Sequence, residues 1–247
     1  MRGLMTRFFV SPDEMQPDFL VLTGENAQHA KVLRIKAGEE VLVCDGQGAE
    51  AVCTVSDVSA GQVSLVVKKR QESASEAPVK VSIYMAFSKG DKLEHVIQKA
   101  TELGAFEIVA FPSSRCVSRP DDKSLKNKLE RWQKIAASAA EQSGRGVIPK
   151  VLALKSYDEA LSRAAQADMP ILFYENEQAT TLRMALDSKP FTTAALLTGP
   201  EGGLEPAEVE KASRAGLRVC TLGKRILRCE TAPLCALSAV MYHTGEF

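Results

Sequence analysis

The chain has 247 residues, 45% of them hydrophobic and 25% charged, with a formal net charge of zero. This is the composition of an ordinary soluble globular protein, and the length suits one large domain or two moderate ones. Net charge neither favours nor excludes a nucleic-acid partner, and its distribution is only slightly uneven, with 8 basic against 11 acidic residues up to position 78 and 23 against 20 beyond.

The six cysteines form no C-x-x-C pair and only three histidines accompany them, which argues against a structural zinc site. They read as reduced, mostly buried thiols of a cytoplasmic protein. The N-terminal MRGLMTRFFV lacks the apolar stretch of a secretory signal. The longest apolar run, 232–242, is too short for a bilayer, which needs about 20 residues, and reads as a buried helix.

Positions 6–70 read as β-rich. Phe8, Phe9 and Val10 start a strand closed by Ser11-Pro12; 39–44 alternates into a turn at Asp45-Gly46; 49–58 resumes as its hairpin partner, and 62–68 follows Ala60-Gly61. Strands at this spacing suggest a small barrel. Between the first two strands, His29, Lys31, Arg34 and Lys36 lie on a helix and turn, either as a solvated face or as a basic edge for RNA phosphates. The polar stretch 71–78, QESASEAP, reads as a linker.

From Val79 onward strands and helices alternate. The strand 79–87 ends at Ser88-Lys89-Gly90. A helix follows with Asp91 at its cap, Leu93, Val96, Ile97 and Ala100 on its inner face, and Gly104 at its end. A strand at 107–111 and a long amphipathic helix at 122–142 come next. Strand, helix and strand are then expected at 147–152, 157–167 and 171–174, and a short helix at 180–186. Repeated β–α units predict a parallel sheet covered by helices on both faces.

Two glycine-bearing loops then follow short apolar strands. Ala194, Ala195, Leu196 and Leu197 lead into Thr198-Gly199-Pro200-Glu201-Gly202-Gly203. Leu217, Val219 and Cys220 lead into Leu222-Gly223 and on to Lys224, Arg225, Ile226, Leu227 and Arg228. Loops at strand ends of an α/β protein are the usual place for a ligand. The first loop has neither the Gly-Lys-Ser/Thr of a P-loop nor a G-x-G-x-x-G pattern, which disfavours a nucleoside triphosphate or dinucleotide. It allows close backbone approach and suits a flat, weakly charged group such as an adenosyl moiety; a tight structural turn is the alternative. Positions 115–134 carry seven basic residues against three acidic ones, either as a solvated helix face or as the best phosphate-contacting patch in the chain. His29, His95 and His243 lie in unrelated contexts, and no Ser-His-Asp set can be assembled.

Several segments occur in a fixed order. They are Phe8-Phe9-Val10; His29 with Val32-Leu33-Arg34; Lys99-Ala100-Thr101-Glu102-Leu103-Gly104; Glu141-Gln142-Ser143-Gly144-Arg145 with Pro149; Leu197 to Gly203; and Leu222-Gly223 with Ile226-Leu227-Arg228 and Glu230-Thr231-Ala232. Together they resemble the bacterial small-subunit (16S) ribosomal RNA uridine-N3 methyltransferases, within the knotted SPOUT superfamily, over nearly the whole chain. One departure is the start, a few residues longer than the family's usual beginning near Met5.

The resemblance implies an α/β fold in which a PUA-like β-barrel over 1–74 precedes a parallel-sheet, trefoil-knot SPOUT domain over 75–247. It implies a homodimer using the last helix, and S-adenosyl-L-methionine held by three loops. Those loops are Leu172, Phe173, Tyr174 and Glu175; Leu197, Thr198, Gly199, Pro200, Glu201, Gly202 and Gly203; and Leu222, Gly223, Ile226, Leu227 and Arg228. No metal or membrane is expected. Methylation of a uracil needs N3 to lose its proton, so Glu201 or Glu230 is the candidate base, and Arg228 or Arg115 the support for charge on the ring. Arg7, His29, Arg34, Lys89, Arg115, Arg119 and Arg145 are the candidate contacts to ribosomal RNA, in the assembled 30S particle. Two other functions fit the same features: ribose 2′-O-methylation by the same fold, and a non-catalytic RNA-binding assembly factor.

Overall fold

The computed structural model describes residues 5–247; the extra stretch ahead of Met5 lies outside the described residues. The chain divides into two compact units, one comprising Met1–Glu76 with Ala140–Ile148, the other Ala77–Ala139 with Pro149–Phe247.

The first unit contains β1 (Arg7–Phe9), β2 (Phe19–Leu22), α1 (Gly24–Val32), β3 (Glu40–Cys44), β4 (Ala49–Ser59) and β5 (Gln62–Glu72). Its five-stranded sheet runs β1-β3-β4-β5-β2, antiparallel except where β1 lies parallel to β3. Alternation turns Phe8, Leu22, Val43, Ala51, Cys53 and Leu65 into one core. Register shifts at Val52/Cys53 and Val55/Asp57 break the β4–β5 ladder, and such irregularities increase local bend and twist. The expected hairpins are present, while β2 has no counterpart in the reading of the sequence.

The stretch expected as a linker is built into this unit. Gln71 and Glu72 pair with Glu50 and Ala49 as the end of β5. The Ser73 N–H then donates to the Gly48 carbonyl at 2.8 Å. Glu76 accepts the Arg145 guanidinium at 2.6 Å and the Val147 N–H at 3.2 Å. Gly146 packs so closely that a Cβ there would lie 2.3 Å from Ser73 Oγ. The boundary between the two units does fall within this stretch, after Glu76, but its polar composition hid the ordered part, whose partners lie in β4 upstream and at Arg145 to Val147 downstream.

Arg145 is therefore not a free phosphate contact: it is 4% exposed and its charge is matched by Glu76. Removing one partner of a buried pair leaves the other uncompensated, at a cost of about 3–5 kcal/mol. The Glu76 side chain left behind is 23% exposed, so Arg145→Met should destabilise the unit by less than that, roughly 1–3 kcal/mol, in urea titration. Unchanged stability with weakened RNA binding would restore the phosphate role.

The second unit begins with β6 (Lys80–Ala86), α2 (Lys92–Glu102), β7 (Glu107–Phe111) and α3 (Asp122–Ser143), whose last turn is counted with the first unit. It continues with β8 (Lys150–Ala153), α4 (Tyr157–Ala164), β9 (Met169–Phe173), α5 (Leu182–Leu186), β10 (Thr193–Thr198), α6 (Pro206–Arg214), β11 (Arg218–Cys220) and α7 (Thr231–His243). The six strands form a wholly parallel sheet in the order β11-β9-β10-β6-β7-β8. The central strands are continuous apolar runs, as expected when helices cover both faces: β7 is buried throughout, and β10 from Ala194 to Thr198. Helix α2 buries Leu93, Val96, Ile97 and Ala100 as its periodicity requires, although Asp91 at its N-cap makes no side-chain capping bond. Helix α7 is apolar on nearly every side and packs on α2, β6 and β10. No helix among the described residues is long and apolar enough to cross a membrane.

One loop tie makes a pH-dependent prediction. At the starts of β9 and β10, the Asp168 carboxylate accepts the Thr192 N–H and hydroxyl, each at 2.9 Å, and the Thr193 N–H at 3.0 Å. These bonds, the Thr192 N–H foremost, lower its pKa from 3.8 to about 2. A depressed carboxyl stabilises the fold above its unfolded pKa and loses that contribution as pH falls through the folded value. Asp168→Asn should therefore melt earlier than the parent at pH 7, and the two curves should converge between pH 4 and pH 2.

Candidate active site

The carboxyl ends of β9, β10 and β11 open into one cleft of about 510 Å³, within the range of cofactor sites. Three segments wall it. Phe173, Tyr174 and Glu175 leave β9, Thr198 to Leu204 leave β10, and Thr221 to Glu230 run from β11 to α7. All the expected loop residues line it except Leu172 and Leu197, which are fully buried in β9 and β10. Lys92, Leu204, Thr221, Lys224, Arg225, Cys229, Glu230 and Ala232 complete the lining.

Backbone bonds fix the walls. Tyr174 N–H donates to the Cys220 carbonyl at 3.1 Å, which joins the first segment to the end of β11. Thr198 Oγ1 donates to the Tyr84 carbonyl at 3.3 Å, anchoring the base of the glycine loop in the sheet. That loop turns through Gly203, at φ +68°, with the Gly203 N–H on the Pro200 carbonyl at 2.9 Å. It then enters α6, where Pro206 supplies the first turn and the Glu208 carboxylate accepts the Glu205 N–H at 2.9 Å. The other oxygen of Glu208 accepts the Ser114 N–H at 2.8 Å, so the segment bearing Arg115 is tied to the same helix start. Arg115 in turn donates to the Gly202 carbonyl at 3.1 Å.

At one side of the cleft two carboxylates flank one ammonium. Glu201 Oε1 accepts from Lys92 Nζ at 3.0 Å and from the Lys89 N–H at 2.9 Å. Glu230 Oε2 lies 4.0 Å from the same Nζ and accepts the Cys229 thiol at 3.2 Å. Burial alone would raise the Glu201 carboxyl, but its own N–H, the Lys89 N–H and Lys92 outweigh it and hold it below the usual carboxylate range. Glu230 follows the same logic, with burial opposed by its own N–H, the Cys229 thiol, Lys92 and Arg228. Burial, then the bond to Glu230, pushes the Cys229 thiol up to about 12, so it stays a proton donor. The arrangement can accept a proton in a partly dry cleft and neutralise charge with Lys92 or Arg228.

A model of an RNA methyltransferase domain matches residues 75–241, and one of an RNA methyltransferase PUA domain matches 22–68. The Bacillus subtilis ribosomal RNA small subunit methyltransferase E is 40% identical over 97% of both chains. The chain belongs to the ribosomal RNA small subunit methyltransferase E family. The Mesomycoplasma hyopneumoniae member is 33% identical over 95% of this chain and 98% of its own. Among solved structures, the Neisseria gonorrhoeae methyltransferase E, bound to S-adenosyl methionine, superposes with a TM-score of 0.83 at 32% identity, covering 96% of this chain and 97% of that one. The fold is accordingly the α/β SPOUT fold with a PUA-like sheet ahead of it, as the family resemblance implies.

The remaining expected contacts are dispersed. In the unit that holds the cleft, Lys89 and Arg119 are exposed, Arg119 donating to the Ser113 carbonyl at 2.7 Å. In the other unit, Arg34 is exposed with φ +57°, while His29 pairs with Glu141 at 2.9 Å. Arg7 pairs at 2.6 Å with Glu50, their side chains 12% and 4% exposed, so its charge is largely spent inside the sheet. Lys92 escaped the sequence reading altogether; the visible signal was only a lysine one residue past a cap, opposite no nearby carboxylate.

Proposed function

We propose that this chain is an S-adenosylmethionine-dependent methyltransferase acting on N3 of a uridine in small-subunit ribosomal RNA. The observation that carries the reading is the cleft itself: three loops at parallel strand ends, with an ionised Glu201–Lys92–Glu230 cluster on one wall. The lining fits the cofactor. Close loop packing leaves no room for a Cβ at Gly199, and Phe173, Ile226 and Leu227 offer apolar surface for a flat ring. Bound there, S-adenosylmethionine supplies an electrophilic methyl group on a sulfonium.

The chain's own residues do the rest. The loops orient donor and acceptor, which is the main requirement of an in-line displacement. Glu230, less tightly engaged by Lys92 than Glu201 is, takes the N3 proton as the N3–methyl bond forms. Arg228 neutralises negative charge on the uracil oxygens, and Arg115 steadies the glycine loop. Arg34, Lys89, Arg115, Arg119 and the lysines of α3 meet RNA phosphates, with the β1–β5 sheet as the RNA-binding module. The protein works in the cytoplasm on the assembled 30S subunit and as a homodimer joined through α7, whose Cys235 and Tyr242 remain exposed on an otherwise apolar helix. Mass spectrometry and modification mapping of ribosomal RNA from cells with and without the gene test the reading. A lost N3-methyluridine in the small subunit is expected; a lost ribose methyl, or no change, overturns it.

A further inference from the structure

Lys92 is the lining residue whose presence the three-loop description does not explain. It enters the cleft from the first turn of α2, more than a hundred positions ahead of the two carboxylates it meets. Its side chain is 30% exposed and those of Glu201 and Glu230 are 26% and 21% exposed, so the cluster is half-dry rather than a surface ion pair. Each carboxylate belongs to a different wall, Glu201 to the glycine loop and Glu230 to the start of α7. The ammonium is therefore a brace between two segments that share no strand. The charge balance is also uneven, two anions to one cation at the closest contacts, with Arg228 beyond. Lys92 and Arg228 therefore hold the Glu230 carboxylate ionised until a proton is transferred to it.

We propose that Lys92 is a positioning residue of the methyl transfer, bracing Glu201 and Glu230 so that the Glu230 carboxylate meets the target base ionised and in place. This rests on the reading of the cleft given above. The groups that bear on Glu230 are Lys92 from α2 and Arg228 and the Cys229 thiol from its own segment, while Glu201 of the glycine loop shares Lys92 with it. Lys92 is the cation both carboxylates share, so its loss acts on both. The N3 proton passes to Glu230 as the methyl group leaves sulfur for N3, and Lys92 exchanges no proton itself.

The test compares Lys92→Met, Lys92→Gln and Lys92→Arg in the full chain, with S-adenosylmethionine binding by calorimetry and methyl transfer to 30S subunits followed from about pH 3.5 to 8. For the two neutral variants, kcat at pH 7.5 should fall at least about tenfold while cofactor Kd stays within about threefold. The acid limb of kcat/KM should move up by about one pH unit, because the ionised carboxylates lose a nearby positive charge. Lys92→Arg should restore the limb and most of kcat. Unchanged kcat and limb in both neutral variants overturn the proposal. So does an equal loss in all three without a shift of the limb, which is the mark of a merely structural lysine. Failure of the underlying reading looks different: the unaltered protein would then place no methyl group on N3, whatever stands at position 92.

Discussion

Replacing Gly199 with alanine should weaken S-adenosylmethionine binding by about ten- to a hundredfold while leaving the sheet intact. The new Cβ would stand 2.9 Å from Leu204 Cγ and 3.3 Å from the Gly203 carbonyl carbon. Leu204 is 2% exposed and cannot swing aside, so the glycine loop must move instead. Overpacking of this kind costs about 1–3 kcal/mol, and each 1.4 kcal/mol is about a factor of ten in affinity if the displaced loop is the cofactor wall. Gly203→Ala should be milder. Its φ of +68° strains an L-residue by about 1–2 kcal/mol, but the atom a Cβ would strike, Glu175 Oε1 at 2.4 Å, ends a side chain that can rotate away. Calorimetric titration of both variants decides the matter, and native affinity in the two would remove the cradle from the account.

The second large effect is expected at Glu230. Glu230→Gln keeps size and hydrogen-bonding capacity but cannot take a proton, so kcat should fall about 10²- to 10⁴-fold with cofactor affinity nearly unchanged. Because its carboxyl is held below its ordinary value of 4.5, the unaltered enzyme should keep a flat rate through neutral pH and lose activity only below that value. Glu201→Gln should be milder: it weakens the pair with Lys92 but keeps an oxygen for the Lys89 N–H, so kcat should fall less than in Glu230→Gln with cofactor affinity nearly unchanged. Full methylation by Glu230→Gln would transfer the base role elsewhere.

How far these features were legible follows from where their partners lie in the chain. The glycine loops announced themselves because a strand end, two adjacent glycines and a proline-led helix are all local. The central strands were equally clear, being unbroken apolar runs. Strand β2 was not: it has four residues, FLVL, with Phe19 and Val21 exposed at 72% and 52%, so no polar alternation marks it. Arg145 looked like a phosphate ligand because Glu76, the carboxylate that occupies it, is 69 positions away. Lys92 looked idle for the same reason, its partner Glu201 being 109 positions distant. Periodicity reports which face of an element is buried; it carries no information about which distant charge will be met there.

That long-range pairing also bears on how the chain is made. The β1–β5 sheet is finished by residues 140–148, through the Glu76–Arg145 pair and the bridges of Val147 to Gly46 and Gln47. A nascent chain emerging from its N-terminus therefore exposes all five strands long before the closing segment exists. Until then Glu76 has no cation and the seat for Gly146 stands open. The first unit to be synthesised waits for the second to be half made, a high-contact-order step that slows folding and ties the completion of one unit to the progress of the other.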